Sequence, residues 1–359
     1  MIYLDYQATT PLAPEAREAM LQWLGGPGDM TFGNPHSPHR MGRMGAAAVE
    51  LAREQVAALF PPGGRVVFTG SACEAVTLAM KGCMAVRAGE RLAYSAIEHA
   101  TVVENARALG NWVELPVDRQ GIVDLEAAFP QRIGLLAVMQ VNNEIGTIQP
   151  IAELVAKARA EGAQVLVDAV QAAGKFPLAE ADMIAISAHK LHGPKGIGAL
   201  WVRDGVKLVP LVEGGLQEGI RSGTLSPALC AGFGAAAALA LERREEDAAH
   251  VEALWNCARE LFADWTLNGS AEARNHGNLS IRRDGLDVAR LMSDCRDVMF
   301  SAGSACASGS GKTSHVLKAI GLSDAQAKST IRLGFGRYTT REELEQAAAI
   351  INNAATQQG

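Results

Sequence analysis

The sequence has no apolar run as long as the roughly 18–20 residues that a membrane-spanning helix needs. Its alanine-rich stretch at 231–241 is too short for that purpose. The first residues, MIYLDYQATT, contain no basic start followed by an apolar stretch, so no secretory signal is visible. These absences predict a protein without a membrane partner and with a cytoplasmic location.

Basic blocks and paired cysteines are absent as well. The net charge is -6, from 33 Lys and Arg against 39 Asp and Glu, and nucleic-acid binding is therefore not expected. The 6 cysteines show no C-x-x-C spacing, so the sequence predicts neither a disulfide framework nor a metal site. Unpaired cysteines suit a reducing cytoplasm.

What the sequence does contain is a regular alternation of short apolar runs and longer helical patterns. Such runs, separated by helices, predict an α/β fold with a largely parallel sheet. The predicted strands are RVVFT (65–69), RLAYS (91–95), WVELP (112–116), LLAVMQV (135–141), QVLVDA (164–169), MIAIS (183–187) and GALWV (198–202). Helical patterns lie between them, for example at 74–86 and 151–162.

The pattern changes after the last of these strands. A long helix is predicted from about Leu225 to Glu246, followed by short strands and further helices. We therefore expect a large domain at 13–245. A smaller α+β domain is expected from residues 246–359, joined by residues 1–12.

Lys190 lies in ISAHKLHGPKGIGAL (186–200), after a predicted buried strand and before a glycine-rich turn. Ligands of α/β sheets bind at the carboxyl ends of strands, so this lysine is placed where a ligand would lie. A lysine acts as an amine at neutral pH only if burial or cationic neighbours lower its pKa, or if it is held as an imine. The alternative is an ordinary surface lysine.

Asp168 ends another apolar strand, in VLVDAVQAAG (165–174). A carboxylate there is costly unless it meets a cation or hydrogen-bond donors. The pyridinium nitrogen of pyridoxal phosphate is one such cation, and Gln171, one turn further on, could reach the ring hydroxyl. The alternative is an aspartate that caps a helix.

Three further strand ends carry polar residues. The Gly-Ser turn in VFTGSACEAVTLAM (67–80) leads into a helix, whose free N–H groups favour a phosphate. His99 follows the next strand and could cap a helix or stack on a planar ring. Asn142 directly follows the apolar strand LLAVMQV (135–141).

Cys306 lies in SAGSACASGS (301–310), where small residues predict a loop. Such a loop buries little, so the thiol is expected to be reachable by solvent. Exposed thiols are open to oxidation, which makes this one either incidental or functional.

Taken together, nine segments resemble the cysteine desulfurases, which are pyridoxal-phosphate enzymes of the class V aminotransferase family with the transferase fold type I. The segments are YLDYQATTP (3–11), FGNPHS (32–37), IEHATV (97–102), VNNEIGT (141–147), DAVQAAGK (168–175), SAHKLHGPKG (187–196), RSGTLS (221–226), GSACAS (303–308) and TIRLGFGR (330–337). The resemblance implies a large domain with a mostly parallel central sheet and a smaller α+β domain that carries the cysteine loop.

The resemblance also implies the catalytic residues. Lys190 matches the Schiff-base lysine, and Cys306 matches the nucleophile that receives sulfur. His99 matches the histidine stacked on the cofactor ring. Asp168 and Gln171 match the residues at the pyridine nitrogen and at the ring oxygen.

The phosphate group of the cofactor is implied to bind to Ser187, His189 and the turn around Ala72 and Cys73. Thr224 matches a phosphate contact donated by the neighbouring subunit, which implies a homodimer.

The implied reaction converts L-cysteine to L-alanine and leaves the sulfur on Cys306 as a persulfide. Asn142 and Arg332 match residues that hold the substrate, Arg332 by a bidentate grip on its carboxylate. A sulfur-acceptor protein, either a scaffold or a carrier, is implied as a partner in iron–sulfur cluster assembly or other sulfur delivery.

Three departures from the family pattern keep alternatives open. One is that the longer tail with which housekeeping members dock a scaffold is expected to be missing after a last helix predicted at about 341–355. Cys73 stands where the family usually has Thr or Ser, and the stretch EGGLQEGIRSGT (213–224) is shorter than its counterpart, with Glu213 in place of a histidine. A catalytically reduced member acting as a sulfur-relay or interaction subunit is one alternative. Another class V aminotransferase or lyase is the second, against which the Gly-Ser-Ala-Cys loop argues.

Overall fold

A seven-stranded sheet forms the centre of the molecule in the computed structural model, which describes residues 1–125, 133–215, 218–303 and 313–358. Numbered in chain order, its strands are β2 (Gly64–Thr69), β3 (Arg91–Ser95), β4 (Trp112–Leu115), β5 (Ile133–Met139), β6 (Gln164–Asp168), β7 (Met183–Ser187) and β8 (Gly198–Arg203). They lie side by side in the order β2-β8-β7-β6-β5-β3-β4.

The predicted strands and the largely parallel sheet are confirmed. Strand β8 is the reversed one, antiparallel to both β2 and β7, while the other neighbours pair in parallel. Every residue of β5 and β7 is buried, as expected for strands covered on both faces. The carboxyl ends of β5, β6 and β7 therefore meet at one edge of the sheet.

Helices cover both faces of this sheet. They are α1 (Pro14–Leu21), α2 (Arg40–Ala57), α3 (Ala72–Val86), α4 (Ala100–Leu109), α5 (Ile151–Ala160) and α6 (Pro227–Glu242), with a short 3-10 helix at Ala188–Lys190. One apolar cluster contains Phe68, Trp201 and Phe233, and another contains Met80 and Tyr94. Burial of apolar surface on both faces fixes where the strand ends lie.

The C-terminal part builds its own sheet, from β9 (Thr266–Leu267), β10 (Asn278–Arg282), β12 (Ser301–Ala302) and β13 (Thr330–Gly334). Strand β1 (Ile2–Tyr3) pairs in parallel with β11 (Val298–Met299), so the first residues join this part. Its helices are α7 (Arg244–Leu261), α8 (Val288–Asp294), α9 (His315–Ala319), α10 (Asp324–Lys328) and α11 (Arg341–Thr356). A third apolar cluster, with Trp255, Phe262 and Phe335, fills it.

The single long helix predicted from about Leu225 to Glu246 is wrong. The chain breaks at Arg243, which ends α6 and begins α7. The alanine-rich α6 packs into the apolar cluster on the central sheet, whereas α7 packs with Trp255 into the C-terminal cluster. One straight helix cannot pack against two apolar clusters that lie in different directions. Tertiary packing therefore overrides helix propensity at this point.

None of the helices in the described ranges is long and apolar enough to cross a membrane.

Candidate active site

A cavity of about 330 Å³ opens at the carboxyl ends of the parallel strands. Its wall brings together residues that are far apart in sequence but lie at or just after the ends of strands. They are Ser71, Ala72, Cys73, His99, Thr101, Val141, Asn143, Asp168, Gln171, Ser187, His189 and Lys190. Gln7 and Ala8 of the N-terminal segment and Arg332 of the C-terminal part close the cavity. The sheet topology thus places most of the predicted site residues on one surface.

Lys190 ends the 3-10 helix that follows β7. Its Nζ donates hydrogen bonds to the carbonyl oxygens of Gln7 and, at 2.8 Å, of Ala8. The ammonium group is thereby held by two neutral acceptors at the junction of the central sheet and the N-terminal segment. The lysine lies on the cavity wall rather than on the open surface.

Asp168 ends β6 with only 9% of its surface exposed. Burial raises the pKa of this carboxyl group, and the neighbouring His99 and Lys190 act in the opposite direction. Its Oδ1 accepts a hydrogen bond of 3.0 Å from the Val170 amide. The carboxylate is thus not a helix cap, and it depends on cations in the cavity for its charge.

His99 both caps a helix and lines the cavity. Its Nδ1 accepts a hydrogen bond of 3.1 Å from the Thr101 amide at the start of α4. Burial lowers the pKa of the imidazole, with Asp168 opposing and Lys190 adding to the effect. The capping hydrogen bond fixes the orientation of the imidazole ring. The lowered pKa of His99 favours the neutral form of the ring at neutral pH.

Gln171 is 3% exposed, and its Nε2 donates to the Gln7 carbonyl at 3.1 Å. The same carbonyl accepts from Lys190, so one backbone oxygen joins the two side chains. The Gln171 Oε1 is buried and has no hydrogen-bond partner. The cavity wall therefore holds an amide atom with unused hydrogen-bonding capacity, which is uncommon in a folded protein.

The start of α3 forms the opposite end of the cavity. Ser71 caps the helix by accepting from the Glu74 amide at 3.2 Å, and the first-turn residues Ala72 and Cys73 line the wall. First-turn N–H groups and the helix dipole favour an anion. A Cβ at Gly198 would lie 2.6 Å from the Ser71 carbonyl carbon, so glycine allows β8 to approach the helix start.

Two predicted phosphate ligands adjoin this end. Ser187 is buried at the end of β7, and His189 lies two residues further on. The His189 Nδ1 is 3.1 Å from the Thr9 hydroxyl. Burial, then Lys190 and Lys195, lowers the pKa of His189 to about 4, so the ring is neutral at neutral pH.

Arg332 lies on β13 with 1% of its surface exposed. Its Nη2 donates to Asp5 at 2.8 Å and to Ser301 at 3.4 Å, and its Nη1 donates to the Asn143 carbonyl at 3.0 Å. The buried Nε has no partner. Because a guanidinium group carries five N–H donors, two remain for a ligand in the cavity.

Asn142 does not line the cavity, contrary to its predicted contact with the substrate. Its Nδ2 donates to the Ile97 carbonyl at 2.8 Å, and its Oδ1 accepts from the amides of Glu144 and Ile145 at 2.8 Å. The hydrogen-bonding groups of the Asn142 side chain are thus occupied in stabilising the turn that follows β5. Its neighbour Asn143 is the residue of the pair that lies on the wall.

Thr224 and Cys306 are the remaining predicted residues. Thr224 is exposed and lies away from the cavity of its own chain. Cys306 lies outside the described residues. Gln7, Ala8 and Asn143 were missed by sequence reasoning, although the first two belong to the motif YLDYQATTP and the third to VNNEIGT. Their positions in quoted motifs were the available signal.

Comparison with known proteins gives consistent matches. A family model described as aminotransferase class-V matches residues 2–347. The cysteine desulfurase IscS of Rickettsia akari is 38% identical over 98% of this chain and 90% of its own length. The IscS of Shewanella loihica is 39% identical, over 99% and 93%.

Solved structures agree. A NifS-like protein from Rickettsia africae has a TM-score of 0.90 at 27% identity, covering 99% of both chains. The structure described as SspA in complex with cysteine has a TM-score of 0.81 at 32% identity, covering 95% of this chain and 100% of that one. The chain belongs to the class V aminotransferases and, within that family, to the cysteine desulfurases.

Proposed function

We propose that this protein is a pyridoxal-phosphate-dependent cysteine desulfurase that forms L-alanine and a persulfide on Cys306. The observation that carries the proposal is one cavity wall on which Lys190, Asp168, His99 and Arg332 come together from four separate segments. An amine, a buried carboxylate, a fixed imidazole and a guanidinium group with spare donors are the groups that this reaction on an amino acid requires.

The residues present fit the cofactor. Pyridoxal phosphate carries an anionic phosphate, a ring nitrogen, a ring oxygen and an aldehyde. The start of α3 with Ser187 and His189 suits the phosphate, and Asp168 suits the protonated nitrogen. The unpartnered Gln171 Oε1 is an acceptor that suits the ring hydroxyl as donor. When bound, the cofactor supplies an electron sink for charge that develops at the substrate α-carbon.

Lys190 is proposed to bond to the aldehyde and, once released, to move the α-proton of the substrate. Its two carbonyl acceptors, Gln7 and Ala8, orient the Nζ. His189 beside it is neutral and brings no competing charge. Asp168 is proposed to keep the ring nitrogen protonated, because a cation there offsets the burial that raises the pKa of this carboxyl group.

Arg332 is proposed to bind the substrate carboxylate side-on, through its unpartnered Nε–H and an Nη2–H released from the long 3.4 Å contact with Ser301. Bidentate contacts of this kind are strong and directional. Asn143, rather than Asn142, is proposed as the amide that contacts the substrate or the ring.

Cys306 is proposed as the sulfur acceptor. In the overall change the C–S bond of L-cysteine breaks and an S–S bond to Cys306 forms, while the hydrogen of the Cys306 thiol replaces sulfur on the substrate carbon chain. L-Cysteine and the enzyme thiol thus give L-alanine and the enzyme persulfide, and no external oxidant is needed.

Further parts of the proposal concern assembly. The exposure of Thr224 is compatible with a phosphate contact in a neighbouring subunit of a homodimer. Separate apolar clusters support a large domain at 13–245 and a small one from 1–12 with 246–359. A sulfur-acceptor protein and a cytoplasmic location complete the proposal.

The test is an assay of L-alanine from L-cysteine with the cofactor bound, together with mass spectrometry of the peptide containing Cys306. We expect L-alanine and one added sulfur atom on that peptide. The variant Cys306→Ser should keep the cofactor colour but form no persulfide, since a hydroxyl is too weak a nucleophile. The variant Cys73→Ser, with its exposed thiol removed instead, should still form it.

Two results would contradict the proposal. Formation of a keto acid from the substrate would indicate an aminotransferase. Absence of turnover in a protein with bound cofactor would indicate a relay or interaction subunit.

A further inference from the structure

A second pocket, of about 190 Å³, lies on the other side of Lys190 from the active-site cavity. The two share only Gln7 and Lys190. The second pocket is defined by residues from six segments: Tyr6, Gln7 and Thr10 of the N-terminal segment, Ala173–Phe176, Lys190–His192, the α6–α7 region from Ala240 to Glu252, Arg274–Gly277 and Phe335–Arg337. None of the proposed cofactor contacts other than Lys190 lies on its wall.

Besides Arg244, two cations on this wall have no acidic partner among the described residues. The Lys175 Nζ donates to the Gln171 carbonyl at 3.4 Å. Arg274 is 4% exposed and donates to the backbone carbonyls of Asn268, Ser270 and Asn278, while its buried Nη2 has no partner. In the described part of the chain, no carboxylate lies within ion-pair distance of either residue. Buried charges are normally paired, so Arg274 stands out, while Lys175 is half-buried on the same wall.

The acidic side chains of the same pocket are already occupied. Asp247 accepts from the Nε and Nη2 of Arg337 at 2.8 and 2.6 Å. Glu252 pairs with His276. The acids thus leave the charges of Lys175 and Arg274 uncompensated, and the pocket carries an excess of positive charge.

The rest of the wall is largely apolar, with Tyr6, Phe176, Leu191, Val251 and Phe335. The volume is more than ten times the roughly 15 Å³ that one water molecule needs. A ligand for such a pocket combines a negative charge with an apolar body. An inorganic anion would satisfy the cations but leave these side chains without contacts.

We propose that the second pocket binds a small monocarboxylate with an apolar body, whose carboxylate is held by the unpartnered Nη2 of Arg274, while Lys175 adds positive charge to the same wall. A bound carboxylate offsets the free-energy cost of keeping the positive charges of Lys175 and Arg274 away from water. Burial, and then Lys190, lowers the pKa of Lys175 to about 8, and burial also lowers the pKa of Arg274. An anion bound in the pocket favours the charged forms of both side chains. The site does not depend on the proposed desulfurase activity.

Benzoate is the probe, because it has one carboxylate on an apolar ring. Its binding to the full-length protein with bound cofactor is measured by titration calorimetry, with benzamide as the uncharged ligand of the same shape. We expect one benzoate per chain and no measurable binding of benzamide. Lys175→Met should weaken benzoate binding by about tenfold, the effect of losing one charged contact.

A matched pair of variants on α7 locates the site. Ala248 lies on the pocket wall, and its neighbour Ala249 is exposed and does not. We expect Ala248→Leu to fill the pocket and weaken benzoate binding by about tenfold or more, while Ala249→Leu binds like the wild type. Thermal unfolding of each variant checks that the fold is intact.

Three results would overturn the inference. The first is benzoate binding that is unchanged in both Ala248→Leu and Lys175→Met. The second is complete displacement of benzoate by L-alanine, which would place it in the active-site cavity beside Arg332. The third is benzamide binding as tight as that of benzoate, which would leave an apolar pocket without anion recognition.

Discussion

The two cavities on either side of Lys190 differ in how their charges are balanced. The active-site cavity mixes the Asp168 carboxylate with the imidazole of His99 and the ammonium group of Lys190. The second pocket holds Lys175 and Arg274 without an acid of their own. A balanced set can hold and move protons around a bound reactant, whereas an unbalanced set of cations can only bind an anion.

The two cavities also differ in which parts of the fold form them. The active-site cavity is built at strand ends, where α/β sheets place ligands regardless of what those ligands are. The second pocket is built where the C-terminal part packs against the central sheet, from Phe176 on one side and Phe335 on the other. Its shape therefore depends on how the two parts pack, and it has no motif of its own.

The largest expected effect is at the shared residue. Lys190→Ala removes the only lysine that the described residues place on the wall of the active-site cavity, so covalent retention of the cofactor should be lost and activity should fall by about 10³-fold or more. Cofactor absorbance after gel filtration and the alanine assay measure both. Lys195→Ala is the control, because Lys195 is exposed in the next turn. Equal losses in both variants would contradict the assignment.

A second prediction tests whether the charge balance of the active-site cavity matters. Asp168 and Asp182 are both buried, at 9% exposure, and each accepts a backbone hydrogen bond near 3 Å. Only Asp168 lies on the cavity wall. Asp168→Asn should lower kcat by about 10²-fold, while Asp182→Asn should lower stability but leave kcat nearly unchanged. A larger loss of kcat in Asp182→Asn would refute the distinction.

A third prediction concerns the stability of the fold at acid pH. Each cavity has a histidine on its wall that makes this stability depend on pH. Burial first, then nearby cations, lowers the pKa of both His189 and His192 from 6.5 to about 4. The unfolded chain then binds more protons between these values, so stability present above pH 6.5 is lost as the pH falls towards 4. His192, 8% exposed, contributes up to about 3 kcal/mol.

His192→Asn removes this proton from the second pocket, and asparagine tolerates the positive φ of 67° at this position. Urea unfolding across the same pH range should show a flatter pH dependence than the wild type, by about one proton. Arg337, Lys175 and Asp247 are the charged groups around the ring. An unchanged slope would show that His192 does not titrate with unfolding.

The smallest effect is expected at the phosphate end. Cys73 lies in the first turn of α3, and its Sγ accepts a hydrogen bond of 3.1 Å from the Thr101 hydroxyl. Cys73→Thr supplies a better donor and should slow cofactor loss on dialysis by about tenfold at most. Cys73→Ala should not slow it. A sharp loss of desulfurase activity with the cofactor still bound would instead give Cys73 a chemical role.

Much of the fold and of the active site follows from the sequence. Buried parallel strands leave continuous apolar runs, and the residues after them, such as Asp168 and Lys190, were predicted to converge. The break at Arg243 was not predictable, because both flanking segments have helical sequences and only their packing against different cores separates them.

Asn142 and Asn143 show a second limit of prediction from the sequence. The two adjacent asparagines have the same chemistry, and which one faces the cavity is decided by the turn that Asn142 stabilises through Ile97 and Glu144. The second pocket was not predictable for a related reason. Lys175 and Arg274 are separated in sequence and line one pocket only through tertiary packing.

The central claim is that Lys190 bonds to the cofactor, and reduction of the wild-type holoenzyme with borohydride followed by peptide mapping tests it most directly. The account predicts that the reduced cofactor is attached to Lys190 alone. Attachment to Lys175, on the second-pocket side, or to the exposed Lys195 would contradict it.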